Sequence, residues 1–204
     1  MRRFILRENI KHFHELLKNE QDPVSQDLLI KMLAEAQHEL SRLESIWLWT
    51  CPKGAVPFEV GAAVEAALDA IIERSKADFG SVQLWNDDTQ GLHLIAHRNF
   101  DTALAEQFAL IRDGVGTTCE AAMISRAEVI IEDVEKELGL EALLSWTRPA
   151  GIRAIHTTPI FDRHGKFIGV FSTQYCAPRS LAPAQRRRNG DHAEYLGAIL
   201  ERTR

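Results

Sequence analysis

The spacing of apolar positions changes character along this chain, and the predicted elements follow it. In residues 2–45 the rhythm is helical. Leu6, Ile10, Phe13 and Leu17 mark one segment, and Leu29, Leu33, Ala36, Leu40 and Leu43 mark a second. Asp22-Pro23 separates them, the aspartate as a cap and the proline in the first helical turn. The pair predicts an antiparallel hairpin with one apolar stripe per helix. Two helices alone bury little area, so the stripe is expected to meet a second copy in a dimer bundle, with packing on the rest of the chain as the alternative. Ile46–Pro57 reads as a linker, and its Trp47 and Trp49 suggest that it docks on a surface.

From Phe58 the pattern is mixed. Val60–Lys76 predicts a helix through Ala63, Val64, Ala67, Leu68, Ile71 and Ile72. Gly80–Trp85 and Leu92–His97 predict a hairpin around Asn86–Gly91. Thr102–Arg112 reads as a helix. Thr117–Ser125 reads as a short helix, with Thr117 and Glu120 as a capping box. Glu128–Ile131 predicts a short strand and Glu141–Trp146 a helix. Gly151–Tyr175 predicts two buried strands around the turn Asp162-Arg163-His164-Gly165. Ala184–Arg202 predicts a last helix, interrupted at Asn189-Gly190. Basic charge at Arg186-Arg187-Arg188 is unfavourable at a helix start, so the well-packed part is expected after Gly190.

The last strand pair carries the chemistry. His156, Thr157, Thr158, Ser172, Thr173 and Gln174 place hydrogen-bonding groups where oily ones are expected, as in the wall of a small-molecule pocket. Residues two apart in a strand share a face. On that basis Gln83, His156, Thr158, Ser172 and Gln174 are candidate ligand contacts, with mutual satisfaction as the alternative. His156 leads, because an imidazole can donate, accept or change charge. Trp85 and Trp146 are candidate pocket walls or plain core. Cys119 falls near the start of a short helix, where a thiolate is favoured, so it is a candidate redox residue or buried filler. The amides after Gly114 and Gly116 could hold an anion. His93 and His97 are expected to share a strand face. At about 13 Å apart they cannot share one metal without a bulge, and they read as solvated.

Composition narrows the classes. A net charge of −5 gives no global attraction to nucleic acid or to an anionic membrane. No apolar run approaches the ~18–20 residues of a membrane span. The apolar start Phe4-Ile5-Leu6 ends at Arg7, which argues against export. Cys51, Cys119 and Cys176 are odd in number and widely spaced, which favours a reducing cytoplasm.

The order of elements, with particular segments, resembles a GAF domain over roughly residues 58–203. The segments are Ala77-Asp78-Phe79-Gly80 into Ser81-Val82-Gln83-Leu84, Gly114-Val115-Gly116 into Thr117–Ala122, Ala127–Glu132 with Asp133-Val134, and Gly151-Ile152-Arg153-Ala154 through Thr173. The resemblance implies an α+β fold: a central antiparallel sheet of about six strands, helices from both chain ends on one face, and a roofed ligand pocket on the other. It implies a regulatory module that binds a small molecule, dimerises and signals to an output protein such as a kinase in trans. The family's cyclic-nucleotide signature is not found. No cysteine stands where bilin-binding relatives carry one, and no haem site is read. Cys119 alone does not reproduce the cysteine set of methionine-sulfoxide-reducing relatives. The expected organisation is a hairpin over 1–45, a linker over 46–57 and a sensor domain over 58–204. The expected activity is non-catalytic ligand sensing by a stand-alone module. The competing readings are a thiol-based sensor or enzyme through Cys119 and a ligand-free interaction scaffold.

Overall fold

The computed structural model describes residues 2–20, 22–48, 58–137 and 141–201. The chain divides into two compact units, residues 1–49 and 50–204.

The first unit is a helical hairpin, α1 (Arg2–Asn19) and α2 (Pro23–Leu48). Asp22 caps α2 as its position before Pro23 predicts: its Oδ2 accepts from the Ser25 amide at 2.9 Å and from the Ser25 hydroxyl at 2.8 Å. Ile10, Phe13, Leu17, Leu29 and Leu33 are half-buried and Ala36 is buried. The apolar rhythm therefore forms the seam between the two helices. Leu6, Leu40, Leu43 and Trp47 belong to the same helices, but their side chains lie outside the described residues, as do Trp49 and the rest of the expected linker through Pro57. Helix α2 runs to Leu48, past the linker start expected at Ile46.

The second unit contains α3 (Phe58–Ser75), β1 (Phe79–Asn86), β2 (Gly91–Arg98), α4 (Thr102–Phe108), β3 (Leu110–Ile111) and α5 (Thr118–Ser125). It continues with β4 (Val129–Ile131), α6 (Glu141–Thr147), β5 (Ala154–Phe161), β6 (Phe167–Tyr175) and α7 (Pro183–Leu200). The six strands form one antiparallel sheet in the order β3-β2-β1-β6-β5-β4. The helix expected over Thr102–Arg112 stops at Phe108, because Leu110 and Ile111 pair with His93 and Leu92 at the sheet edge.

Helices α3 and α7 pack together on one face of the sheet. Glycines permit the approach. A Cβ on Gly80 would stand 2.8 Å from Ile72 of α3, and one on Gly197 would stand 2.3 Å from the Phe161 carbonyl oxygen. Helix α7 is continuous through Asn189 and Gly190, contrary to the expected interruption. Its inward positions Gln185, Asn189, Ala193, Leu196 and Leu200 recur at helical spacing, and the Gln185 amide donates to Asn189 at 3.1 Å. The basic run is accommodated by partners: Arg186 pairs with Glu128 at 2.7 Å, and Arg188 donates to Gln185 at 2.9 Å. A second core lies on the opposite face, where Leu92, Leu94, Phe100, Leu104, Phe108 and Val170 pack beneath α4, α5 and α6.

Candidate functional site

Gly80 points at α3, so Phe79, Ser81, Gln83 and Trp85 occupy the other face of β1. Opposed residues of antiparallel strands share a face, and the register then builds a row. His97 stands opposite Ser81, Ser81 opposite Ser172, and Ser172 opposite Thr157. A polar line thus crosses four strands inside an otherwise apolar core. Gln83 lies on one side of it, and Gln174, opposite Phe79, on the other.

The roof over this row is tied to it by hydrogen bonds. Gln83 Nε2 donates to the Phe108 carbonyl at the end of α4, at 3.0 Å. Thr157 Oγ1 donates to Thr118 Oγ1 in the first turn of α5 at 2.9 Å and lies 2.9 Å from Ser172 Oγ. Ser172 in turn meets Cys119 Sγ at 3.7 Å. The loop before α5 is held by Glu120. Its amide donates to the Thr117 cap at 3.1 Å, and its carboxylate reaches back to the amides of Gly114 and, at 2.6 Å, Gly116. Half of the expected capping box forms: Thr117 caps the Glu120 amide, but the Glu120 carboxylate bonds the upstream glycines and not the Thr117 amide. Those amides were candidates for an external anion. The chain's own carboxylate occupies them.

An aromatic wall lines one side. Phe100 stacks on His97 with centroids 5.3 Å apart and touches Phe79 at 6.3 Å and Phe108 at 5.7 Å. Trp146 meets Phe108 edge-on at 4.5 Å. Trp85 packs at the margin of the same core, its indole N–H donating to Asp87 at 2.7 Å.

The candidate residues therefore divide. Gln83, Ser172 and Gln174 share the roofed face with Cys119, and Trp85 and Trp146 pack against its core. His156 and Thr158 do not join them. They stand opposite Thr173 and Phe171, on the face that carries α3 and α7. The physical reason is alternation across the pair: Ser172 is opposed by Thr157, so His156 necessarily points the other way. His156 Nε2 donates to the Arg179 carbonyl at 3.2 Å, its ring lies 5.0 Å from Tyr175, and burial lowers its pKa.

His97 and Thr157 stand in the polar row although neither is among the ligand contacts expected from the sequence. The sequence pattern puts His97 on one solvated face with His93. His97 is 4 % exposed, and burial, with Arg98 nearby, pushes its pKa down to about 4. A β-bulge sets Val82 opposite Ala96 but Gln83 opposite Leu94. The extra residue turns His93 and His97 to opposite faces. Cys119 lies with the buried alternative of its two readings. It is 2 % exposed, and desolvation raises the thiol to about 11, outweighing any thiolate stabilisation at the helix start. Among the described residues a crevice of about 360 Å³ opens at α6, lined by Leu144, Ser145, Arg148 and Pro149, away from the polar row.

Solved structures share this architecture. The GAF domain of a phosphoenolpyruvate-protein phosphotransferase from Coxiella burnetii matches at a TM-score of 0.59, with 14% identity over 80% of this chain and 92% of that one. A GAF domain/HD domain protein from Geobacter sulfurreducens matches at 0.60, with 10% identity over 71% and 93%. A free methionine-R-sulfoxide reductase from Neisseria meningitidis matches at 0.58, with 17% identity over 71% and 79%. No curated protein matches the sequence. The family model of the GAF domain matches residues 59–188, which contain the whole sheet and its roof, and the chain belongs to that family.

Proposed function

We propose that this chain is a regulatory GAF module that senses a small molecule on the roofed face of its sheet. The observation that carries the reading is the set of ties from strand to roof: Gln83 to Phe108, Thr157 to Thr118, and Ser172 to Cys119. A buried row of this kind competes for any polar molecule that enters, because each tie can be exchanged for a bond to the guest. Entry then loosens or re-seats α4 and α5. Binding and roof position are linked as a population shift between two arrangements. A homodimer formed through the helical hairpin transmits the shift to an output protein in trans, such as a kinase, in the cytoplasm. Among the described residues no helix is long and apolar enough to cross a membrane.

Thiol catalysis has less support. Although reductases share the fold, Cys119 is deeply buried and its thiolate is disfavoured at neutral pH. The test is native mass spectrometry of the purified chain with a melting-temperature screen against a broad metabolite panel. A retained or stabilising small molecule supports sensing. A bare chain whose melting temperature moves with no compound overturns it.

A further inference from the structure

We infer that the molecule sensed on the roofed face is uncharged and rich in hydrogen-bond donors, a conclusion that rests on the ligand-sensing reading above. Three buried polar atoms on this face have no partner: Gln83 Oε1, Gln174 Oε1 and His97 Nδ1. For Gln83 the assignment of oxygen and nitrogen is fixed by its surroundings. Nε2 donates to the Phe108 carbonyl, so the unpartnered end is the carbonyl oxygen, which can only accept. Gln174 presents a second carbonyl oxygen from the neighbouring strand, and the two glutamines bracket the Ser81–Ser172 pair. Each unmade bond costs free energy, and an N–H or O–H donor arriving there recovers it.

Charge is excluded by the lining. Ser81, Gln83, Thr157, Ser172 and Gln174 carry none, and His97 is neutral at pH 7. Glu120 is committed to the Gly114 and Gly116 amides, and Asp133 to Arg153 at 2.8 Å. A carboxylate or phosphate would face carbonyl oxygens, and a cation would find no counter-charge. A primary amide meets both requirements.

Two matched pairs test this on the full chain: nicotinamide against nicotinate, and benzamide against benzoate, by saturation-transfer NMR and melting temperature. The amides are expected to bind at least five-fold tighter than their carboxylates. Gln174→Met, which removes an unpartnered acceptor, is expected to weaken amide binding five-fold or more while leaving the melting temperature unchanged or raised. His97→Phe keeps the stacking and serves as the second variant if Gln174→Met fails to fold. Carboxylates binding as tightly as amides, no transfer to either amide, or unchanged amide binding in both variants overturns the assignment. Sensing itself survives those outcomes if the broader metabolite panel still raises the melting temperature, and fails only if that panel is also silent.

Discussion

Thr157 Oγ1 donates to Thr118 Oγ1 at 2.9 Å, joining the middle of β5 to the first turn of α5. Both side chains are buried. Thr157→Val keeps the shape but leaves the hydroxyls of Thr118 and Ser172 short of a partner. We expect a loss of about 1–3 kcal/mol, the cost of a buried unsatisfied polar group. We also expect faster amide exchange in α5 than in α7, because the tie removed is one that holds the roof. Denaturant melts and site-resolved hydrogen exchange measure the two effects. Uniform acceleration across the sheet would show that Thr157 matters to the core alone.

Two glycines of α7 separate packing from propensity. Gly197 lies against the Phe161 carbonyl oxygen, which is backbone and cannot step aside, whereas a Cβ on Gly190 would meet nothing within 4 Å. Gly197→Ala is expected to destabilise by about 1–3 kcal/mol through overpacking. Gly190→Ala is expected to stabilise by about 0.5–1 kcal/mol through helix propensity. Thermal melts of the two single variants should move in opposite directions.

The strands β5 and β6 and the turn at Asp162 are legible in the sequence because apolar density, turn residues and length agree over that segment. The Thr117 cap is legible because its chemistry is local. The division of the polar residues between faces is not, since alternation fixes faces within one strand, while register across strands depends on distant pairings. Ser172 and His156 look equivalent in the chain and become opposed only when Thr157 pairs with Ser172. The bulge that buries His97 is hidden for a related reason: nothing in Leu92–His97 announces an extra residue. Helix α7 fails differently. Basic charge at its start is a weak local penalty, and tertiary packing of Ala193, Leu196 and Leu200 overrides it.

His97 makes stability depend on pH. Its pKa falls from 6.5 to about 4 on folding, chiefly through burial, so between those values the unfolded chain binds the extra proton and the folded chain does not. Its contribution is therefore complete above about pH 6.5, declines as pH falls, and is exhausted below about pH 4. His156, His93 and His192 are shifted in the same direction, mainly by burial, and add to the slope. His97→Phe should flatten the fall in stability between pH 6.5 and 4 without abolishing it. An unchanged slope in urea melts at several pH values would contradict the buried neutral ring.

Cys119 and Cys176 should report roof opening. Cys119 is buried and its thiol is raised to about 11, while Cys176 is exposed. Thiolate is the reacting species, so a maleimide should modify Cys176 long before Cys119. Labelling of Cys119 should approach the rate of unfolding or of roof opening, and Thr157→Val should accelerate it. Mass-spectrometric peptide mapping over time distinguishes the sites. Labelling of Cys119 as fast as that of Cys176 would restore the reactive-thiol reading and remove the main objection to thiol chemistry.

The hairpin carries more apolar surface than its own seam covers. Val24, Leu28 and Met32 follow one another at i, i+4 and i+8 on α2 and are 77 %, 60 % and 40 % exposed, beside the seam formed by Leu29, Leu33 and Ala36. A second copy meeting this stripe would complete a four-helix arrangement and account for the proposed homodimer. Leu28→Glu places a charge in the stripe and leaves the seam intact. The helix content of the hairpin should be unchanged, while the dimer dissociation constant rises at least tenfold, about 1.4 kcal/mol. Leu33→Glu strikes the seam instead and should reduce helix content as well. Sedimentation with circular dichroism resolves the two variants. A Leu28→Glu chain that dimerises as the parent does would move the interface away from Val24, Leu28 and Met32.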